Sequence, residues 1–488
     1  MEVLHYISGE WRRFERPDTL PVHNPATAEL LGHISPVPGD EVDKAVEAGV
    51  KAFREWSHVP VTERIQYLFK FKTLLEENLH ELARGITREC GKTLAEATGE
   101  LRRGVENVET ATAMPILIQG YNNEDLARGI DEHLFRQPLG VVAAITPFNF
   151  PAMIPLWFLP YAIAAGNCFL LKPSELVPFT AIRLFELLER TGLPPGVAQL
   201  LHGGKEVAQA LVQHPHVSAI SFVGSSAAAH AVYCDAAHYG KRVQCQGGAK
   251  NPVVILPDAD PALTTSIIAD SAFGCAGQRC LATSVAITVG EARQTFTDTL
   301  CEAATLRKVG YGLDHEIEMG PVISHHSKDR IHDLVGKGIQ EGAQLRVDGR
   351  PGSVSGYPHG SFIFPTILDE VSPHAEISST EIFGPVLSLI HARTIDEAIE
   401  MINSTIHGNM ACLFTSDGAA ARQFRRDVKA GNIGINIGVA APMSYYPFSG
   451  WKASFLGDLH AQGRHAVEFY TQTKVVVERW YPEWNRKF

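Results

Sequence analysis

The chain reads as an α/β protein built around parallel sheets, and three observations point there. Short apolar runs, Val141-Val142-Ala143-Ala144-Ile145, Cys168-Phe169-Leu170-Leu171, Ala198-Gln199-Leu200-Leu201 and Ala219-Ile220-Ser221-Phe222-Val223, return at intervals of roughly 20 to 30 residues. Helical spacing fills the gaps between the later runs, at 179–191 and 205–213, which is the alternation of βαβ units with helices on the sheet faces. The length of 488 residues exceeds one ordinary core, so two or three subdomains are expected.

Taken in order, 43–56 and 61–84 carry apolar residues near helical spacing among Lys, Arg and Glu, and predict surface helices. The apolar stretch 151–171 is long enough to span a bilayer. Pro151, Pro155, Pro160 and Gly166-Asn167 interrupt it, so a buried turn, helix and strand are expected instead. In parallel sheets ligands bind at the carboxyl ends of strands, which places 147–151, 172–175 and 224–226 on one binding edge. No G-x-G-x-x-G run is present, so a dinucleotide here would be held otherwise than in the common fingerprint. Strand-like runs at 252–256, 285–289 and 362–368, with helical patterns at 327–341 and 395–402, predict a second α/β lobe after Lys250. His325-His326 and His214-Pro215-His216 lack the spacing and carboxylates of a zinc helix, and no metal site is expected.

The formal net charge of −11 supplies no basic field for phosphates, which makes nucleic acid and anionic membrane poor partners. With 45% hydrophobic and 20% charged residues the composition is that of a globular enzyme. The eight cysteines form no framework, which suits reduced thiols and a cytoplasmic location. Met1-Glu2-Val3-Leu4-His5-Tyr6 has the pattern of neither a signal nor a transit peptide, so the mature protein is expected to begin near here.

The chemistry concentrates at Gly277-Gln278-Arg279-Cys280 and Pro147-Phe148-Asn149-Phe150-Pro151. A thiolate that attacks a carbonyl leaves a tetrahedral oxyanion, which a side-chain amide and the nucleophile's own backbone N–H can hold. The competing reading of Cys280 is a buried small apolar residue, as many free cysteines are.

Further runs decide between them. Ile145-Thr146-Pro147-Phe148-Asn149-Phe150-Pro151, Leu171-Lys172-Pro173-Ser174-Glu175, Phe222-Val223-Gly224-Ser225, Gly277-Gln278-Arg279-Cys280 and Glu381-Ile382-Phe383-Gly384-Pro385-Val386 stand in the order and spacing of the aldehyde dehydrogenase superfamily, which the chain resembles over nearly its whole length. The resemblance implies an NAD-binding domain at 1–118 and 138–248, a catalytic domain at 249–443, and a small β oligomerisation element at 119–137 and 467–488. It implies Cys280 as nucleophile and Asn149 as oxyanion donor. Lys172 and Glu175 would bind the adenosine ribose, Glu381 the nicotinamide ribose, Phe383 the nicotinamide side, Gly224 and Ser225 the pyrophosphate region, with Thr146 and Phe148 as further cofactor contacts. Glu175 can accept from a ribose 2′-hydroxyl and repels a 2′-phosphate, which favours NAD over NADP. The lesser alternative for Lys172 and Glu175 is a plain surface ion pair. A homotetramer built from dimers is implied, with the strand around 469–477 pairing across subunits, and the aromatic tail Trp480-Tyr481-Pro482-Glu483-Trp484 suits docking on a partner subunit, a frayed terminus being the alternative.

One departure sets the reaction. Hydrolytic members carry a Glu-Leu-Gly-Gly-Lys run whose Glu activates water; this chain reads Gln246-Gly247-Gly248-Ala249-Lys250-Asn251. An amide is no base near neutral pH, and losing that carboxylate costs on the order of 10²- to 10⁴-fold in water attack. The subgroup that lacks this base is the coenzyme A-acylating methylmalonate-semialdehyde dehydrogenases. Arg103-Gly104-Val105-Glu106-Asn107-Val108-Glu109, the run from Phe448 to Asp458, Phe469-Tyr470-Thr471-Gln472 and Arg279 all resemble it. Arg103 and Arg279 are candidates for a substrate carboxylate, which a guanidinium fork matches, and Arg279 could also stabilise the thiolate. A solvated helix arginine is the alternative for Arg103. Tyr445-Tyr446-Pro447 could narrow the pocket wall. The expected reaction is NAD-linked oxidation of malonate or methylmalonate semialdehyde through a Cys280 thioester, transfer to coenzyme A, and decarboxylation to acetyl-CoA or propanoyl-CoA. Its rivals are a hydrolytic semialdehyde dehydrogenase with another base, and a non-catalytic relative kept for binding.

Overall fold

The computed structural model describes residues 3–480; Met1, Glu2 and the tail from Tyr481 onward lie outside the described residues. An eight-stranded sheet has as its parallel heart Ala198–Leu200, Cys168–Lys172, Val141–Ile145, Val217–Val223 and Arg242–Gln246, in that spatial order. Antiparallel strands His5–Ile7 and Glu10–Arg12 close one end and Phe455–Leu456 the other. The central strands are buried on both faces, which explains their continuous apolar runs. Three of them end side by side at Ile145, Lys172 and Val223, so the exits expected on one edge do meet there.

A seven-stranded sheet follows in the order Gln344–Val347, Thr366–Asp369, Val386–Ala392, Thr283–Val289, Asn251–Ile255, Met410–Phe414 and Asn432–Ile435. The chain passes from the first sheet to the second through the four residues between Gln246 and Asn251, so the motif that departs from the hydrolytic pattern is also the crossing between lobes.

A third sheet joins the hairpin Asn122–Ala127 and Ile130–Pro138, at the β element expected at 119–137, to Thr471–Arg479. The last strand pairs within the chain, from Thr471 opposite Pro138 to Arg479 opposite Ile130.

Local differences have local causes. The run 61–84 is two helices, Val61–Glu77 and Leu79–Cys90, that break at Asn78. The strand expected at 362–368 starts only at Thr366, because Pro365 has no N–H to donate to a ladder. Within 151–171 the helix Met153–Ala165, buried from Ile154 onward, ends at Gly166 with φ 101, and Cys168–Lys172 follows. No helix among the described residues is long and apolar enough to cross a membrane. The helix Leu94–Thr112 is absent from the sequence reading apart from the mention of Arg103, although Thr93-x-x-Glu96 forms a capping box at its start.

Candidate active site

Cys280 lies where two cavities meet. One, of about 280 Å³, is walled by Phe148, Gly224, Ser225, Glu381 and Phe383. The other, of about 70 Å³, is lined by Arg103, Phe150, Trp157, Arg279 and Phe448. A thiol at this junction can face a hydride acceptor from one side and a small aldehyde from the other. The Cys280 carbonyl accepts from Asn251 Nδ2 and Asn409 Nδ2, each at 2.8 Å, which pins the backbone. Burial pushes the thiol up to about 12 and the Glu381 carboxylate adds to the shift; backbone N–H groups and Arg279 pull the other way. The stabilisation of the thiolate expected from Arg279 is therefore present in sign but outweighed.

Asn149 is buried, and one of its two amide N–H groups donates to the Gln278 carbonyl at 2.9 Å, which orients the amide beside the loop that carries Cys280. The other remains to meet an oxyanion. Its backbone is held by residues the sequence reading passed over. Lys92 Nζ donates to the Asn149 carbonyl and to Glu100 Oε2, both at 2.6 Å, and sits 4.0 Å over the Phe150 ring. Glu100 Oε1 accepts from Ala152 N at 2.8 Å and Met153 N at 3.1 Å, at the start of the helix Met153–Ala165, where the dipole favours a carboxylate. Burial alone would depress the Lys92 ammonium; Glu100 reverses this and raises it. Both charges are sealed from water, so breaking the pair leaves an uncompensated buried charge. Lys92→Met is expected to cost about 3–5 kcal/mol of stability, read as a lowered denaturant midpoint; an unchanged midpoint would deny the pair its role.

The two candidate arginines both reach the smaller cavity, and each is held by a carboxylate. Arg103 is not a solvated helix residue: it meets Glu106 at 2.9 Å and donates to the Pro442 carbonyl at 2.6 Å. Arg279 Nη2 meets Glu96 at 3.2 Å. Tyr445 and Tyr446 do not narrow the pocket: they are 68% and 67% exposed, and Val439, Ala441 and Pro442 supply that wall. The turn around Met443 to Tyr446 directs both rings to solvent.

Of the cofactor positions, Phe148, Gly224, Ser225, Glu381 and Phe383 line the larger cavity; Thr146, Lys172 and Glu175 stand outside it on the same sheet edge. Phe148 and Phe383 meet edge to face with centroids 5.8 Å apart. Ser225 caps the helix Ser226–His238, accepting from Ala228 N at 3.4 Å, so helix N–H groups open at Gly224 where a pyrophosphate would be favoured. Lys172 Nζ and Glu175 Oε2 are 3.1 Å apart, and the half-exposed carboxylate keeps lone pairs for a hydroxyl. Glu381 accepts from Ala249 N at 2.9 Å, and burial raises its carboxyl. Arg330, missed in the sequence, fixes this segment by donating to the Glu381 and Ile382 carbonyls at 2.6 and 2.7 Å. A dinucleotide fits this lining.

At the base position Gln246 is buried, and neither side-chain polar atom finds a partner among the described residues. Lys250, four residues on, is buried likewise and brought down to about 7 by desolvation, with Glu381 opposing.

A cysteine between a cavity walled by Phe148, Glu381 and Phe383 and a smaller one that holds two guanidinium groups, faced by an amide donor, suits an aldehyde-oxidising enzyme. The chain belongs to the aldehyde dehydrogenase family, whose model matches residues 11–476. Malonate-semialdehyde dehydrogenase 2 of Geobacillus kaustophilus is 46% identical over 478 residues, 98% of this chain and 99% of that one. A Sinorhizobium meliloti structure assigned as a methylmalonate-semialdehyde dehydrogenase and complexed with NAD superposes with a TM-score of 0.97 at 40% identity, over 99% of this chain and 98% of that one. The methylmalonate-semialdehyde dehydrogenase of Oceanimonas doudoroffii does so with 0.97 at 41% identity, over 98% of each.

Proposed function

We propose that the chain is an NAD-dependent, coenzyme A-acylating dehydrogenase of malonate or methylmalonate semialdehyde. One observation carries this reading: Cys280 shares a cavity of about 70 Å³ with two guanidinium groups, while the base position holds an amide. The small volume suits a three- or four-carbon aldehyde, and Arg103 and Arg279 suit its carboxylate. The similar proteins named above act on such semialdehydes by name.

The Cys280 thiolate adds to the aldehyde carbon, and the free N–H of Asn149 with the Cys280 amide holds the oxyanion. A nicotinamide held by Phe148, Glu381 and Phe383 would supply the acceptor for the hydride that this carbon expels, which leaves a thioester on Cys280. Gln246 cannot activate water, so the thioester survives until the thiol of coenzyme A displaces Cys280. The β-carboxylate leaves as CO₂, and the carbon that held it takes up the proton from the thiol. From malonate semialdehyde the sum is acetyl-CoA, CO₂ and NADH with no net proton. Glu175 supports NAD over NADP. Exposed Phe135, Val475 and Val477 on the small sheet support assembly of subunits there, as a homotetramer.

A second reading is favoured by Glu381, whose raised, buried carboxyl bears electrostatically on Cys280: hydrolysis with Glu381 as base. NADH formation with each semialdehyde, with and without coenzyme A and with product identification, separates the two. Thiol-dependent turnover to acetyl-CoA or propanoyl-CoA is expected; equal turnover to free acid without coenzyme A, lost in Glu381→Gln while NAD⁺ still binds, would establish the second.

A further inference from the structure

We propose that Glu96 is a positioning residue for the nucleophile: the capping-box carboxylate of the helix Leu94–Thr112 also clamps the loop that presents Cys280. The inference rests on Cys280 being the nucleophile. The two oxygens of Glu96 divide the work. Oε2 accepts from Thr93 N at 2.9 Å, while Glu96 N donates to Thr93 Oγ1 at 3.3 Å, which is the reciprocal cap. Oε1 leaves the helix and accepts from Cys275 N at 2.6 Å and from Arg279 Nη2 at 3.2 Å.

Those two contacts bracket the residues that need holding. Cys275 and Ala276 have φ of 50° and 52°, and Gly277 follows at 70°. Consecutive left-handed residues with side chains persist only where the surroundings over-determine them. Arg279 folds back over Gly274, where an added Cβ would lie within 2.7 Å of the guanidinium, and reaches the Asp270 carbonyl at 3.5 Å. One carboxylate therefore ties the entry and the exit of the turn, and Cys280 is the next residue. The same loop offers the Gln278 carbonyl to Asn149 Nδ2. Release of the turn would shift thiol and oxyanion donor relative to each other, and misplacements on the order of 1 Å cost about 10²-fold in rate.

Three variants test the clamp. Glu96→Gln weakens the tie to Arg279 while preserving size; Thr93→Ala removes the other half of the cap and leaves the clamp. With Glu96→Gln, kcat is expected to fall by about 10- to 100-fold for malonate semialdehyde and for uncharged propanal alike. The rate of iodoacetamide labelling at Cys280 should fall with it, and the Kd for NAD⁺ should stay within about twofold. Thr93→Ala is expected to lower the melting temperature but keep kcat within about twofold. Wild-type kcat in Glu96→Gln, an equal loss in Thr93→Ala, or an effect confined to the KM of the charged aldehyde would overturn the proposal. Should Glu96→Gln not fold, Glu96→Asp, which keeps the charge and shortens the reach, is read against the same outcomes. Labelling and turnover that persist in Cys280→Ala would instead sink the nucleophile assignment.

Discussion

Cys280→Ala is expected to reduce NADH formation by about 10⁴-fold or more while NAD⁺ still binds, because covalent catalysis loses its only route when the nucleophile is gone. The cofactor cavity is walled mainly by other residues, so its occupancy should survive the loss of one sulfur atom. Steady-state rates with a fluorescence titration of NAD⁺ check both halves; turnover above one hundredth of wild type would end the thioester mechanism. The thiol carries a pH signature as well. With its pKa raised to about 12 by burial, the thiolate fraction grows about tenfold for each pH unit below that value. Alkylation of the free enzyme by iodoacetamide should therefore quicken about tenfold per unit between roughly pH 7 and 9. A rate that is flat over that range would mean a thiol already ionised, held by Arg279 more strongly than burial opposes it.

Gln246→Glu is expected to raise the coenzyme A-independent rate to free acid by about 10²-fold, the lower end of what a positioned general base contributes. The site favours such a gain. Gln246 is buried with its amide unpartnered, so a carboxylate there would be desolvated and its pKa raised toward neutrality, where a base works best. The Cys280 thioester would then partition between water and coenzyme A, and malonate should appear beside acetyl-CoA. The measurement is product ratio against coenzyme A concentration. An unchanged water rate would show that something other than the missing carboxylate protects the thioester, and would return attention to Glu381, whose buried carboxyl bears on the same sulfur.

The succession of strand runs along 141–223, the helix at 205–213 and the meeting of three strand exits were legible because each depends on short-range patterning and on rules of parallel sheets that hold from one protein to the next. Cys280, Asn149 and the substitution at Gln246 were legible because each stands inside a contiguous run. The helix Leu94–Thr112 was less so: its charged residues at 96, 100, 103 and 106 hide a buried face in which Glu100, Asn107 and Thr110 interrupt the apolar residues. Its Thr93-x-x-Glu96 capping box was the one local signal that could have marked it.

By itself the sequence carried the candidates for the reacting groups, Cys280 and Asn149, and an amide where the base would stand, since those are identities of residues in local motifs. What only the tertiary structure decided was who holds them: Lys92 on the Asn149 carbonyl, Glu96 on a turn some 180 residues away, Tyr445 and Tyr446 turned outward, and a thiol raised by its surroundings. Hydrogen bonds across such separations, and the desolvation that moves a pKa, are properties of a packed interior. They arise from which distant segments the fold brings together, and no stretch of local sequence encodes them alone.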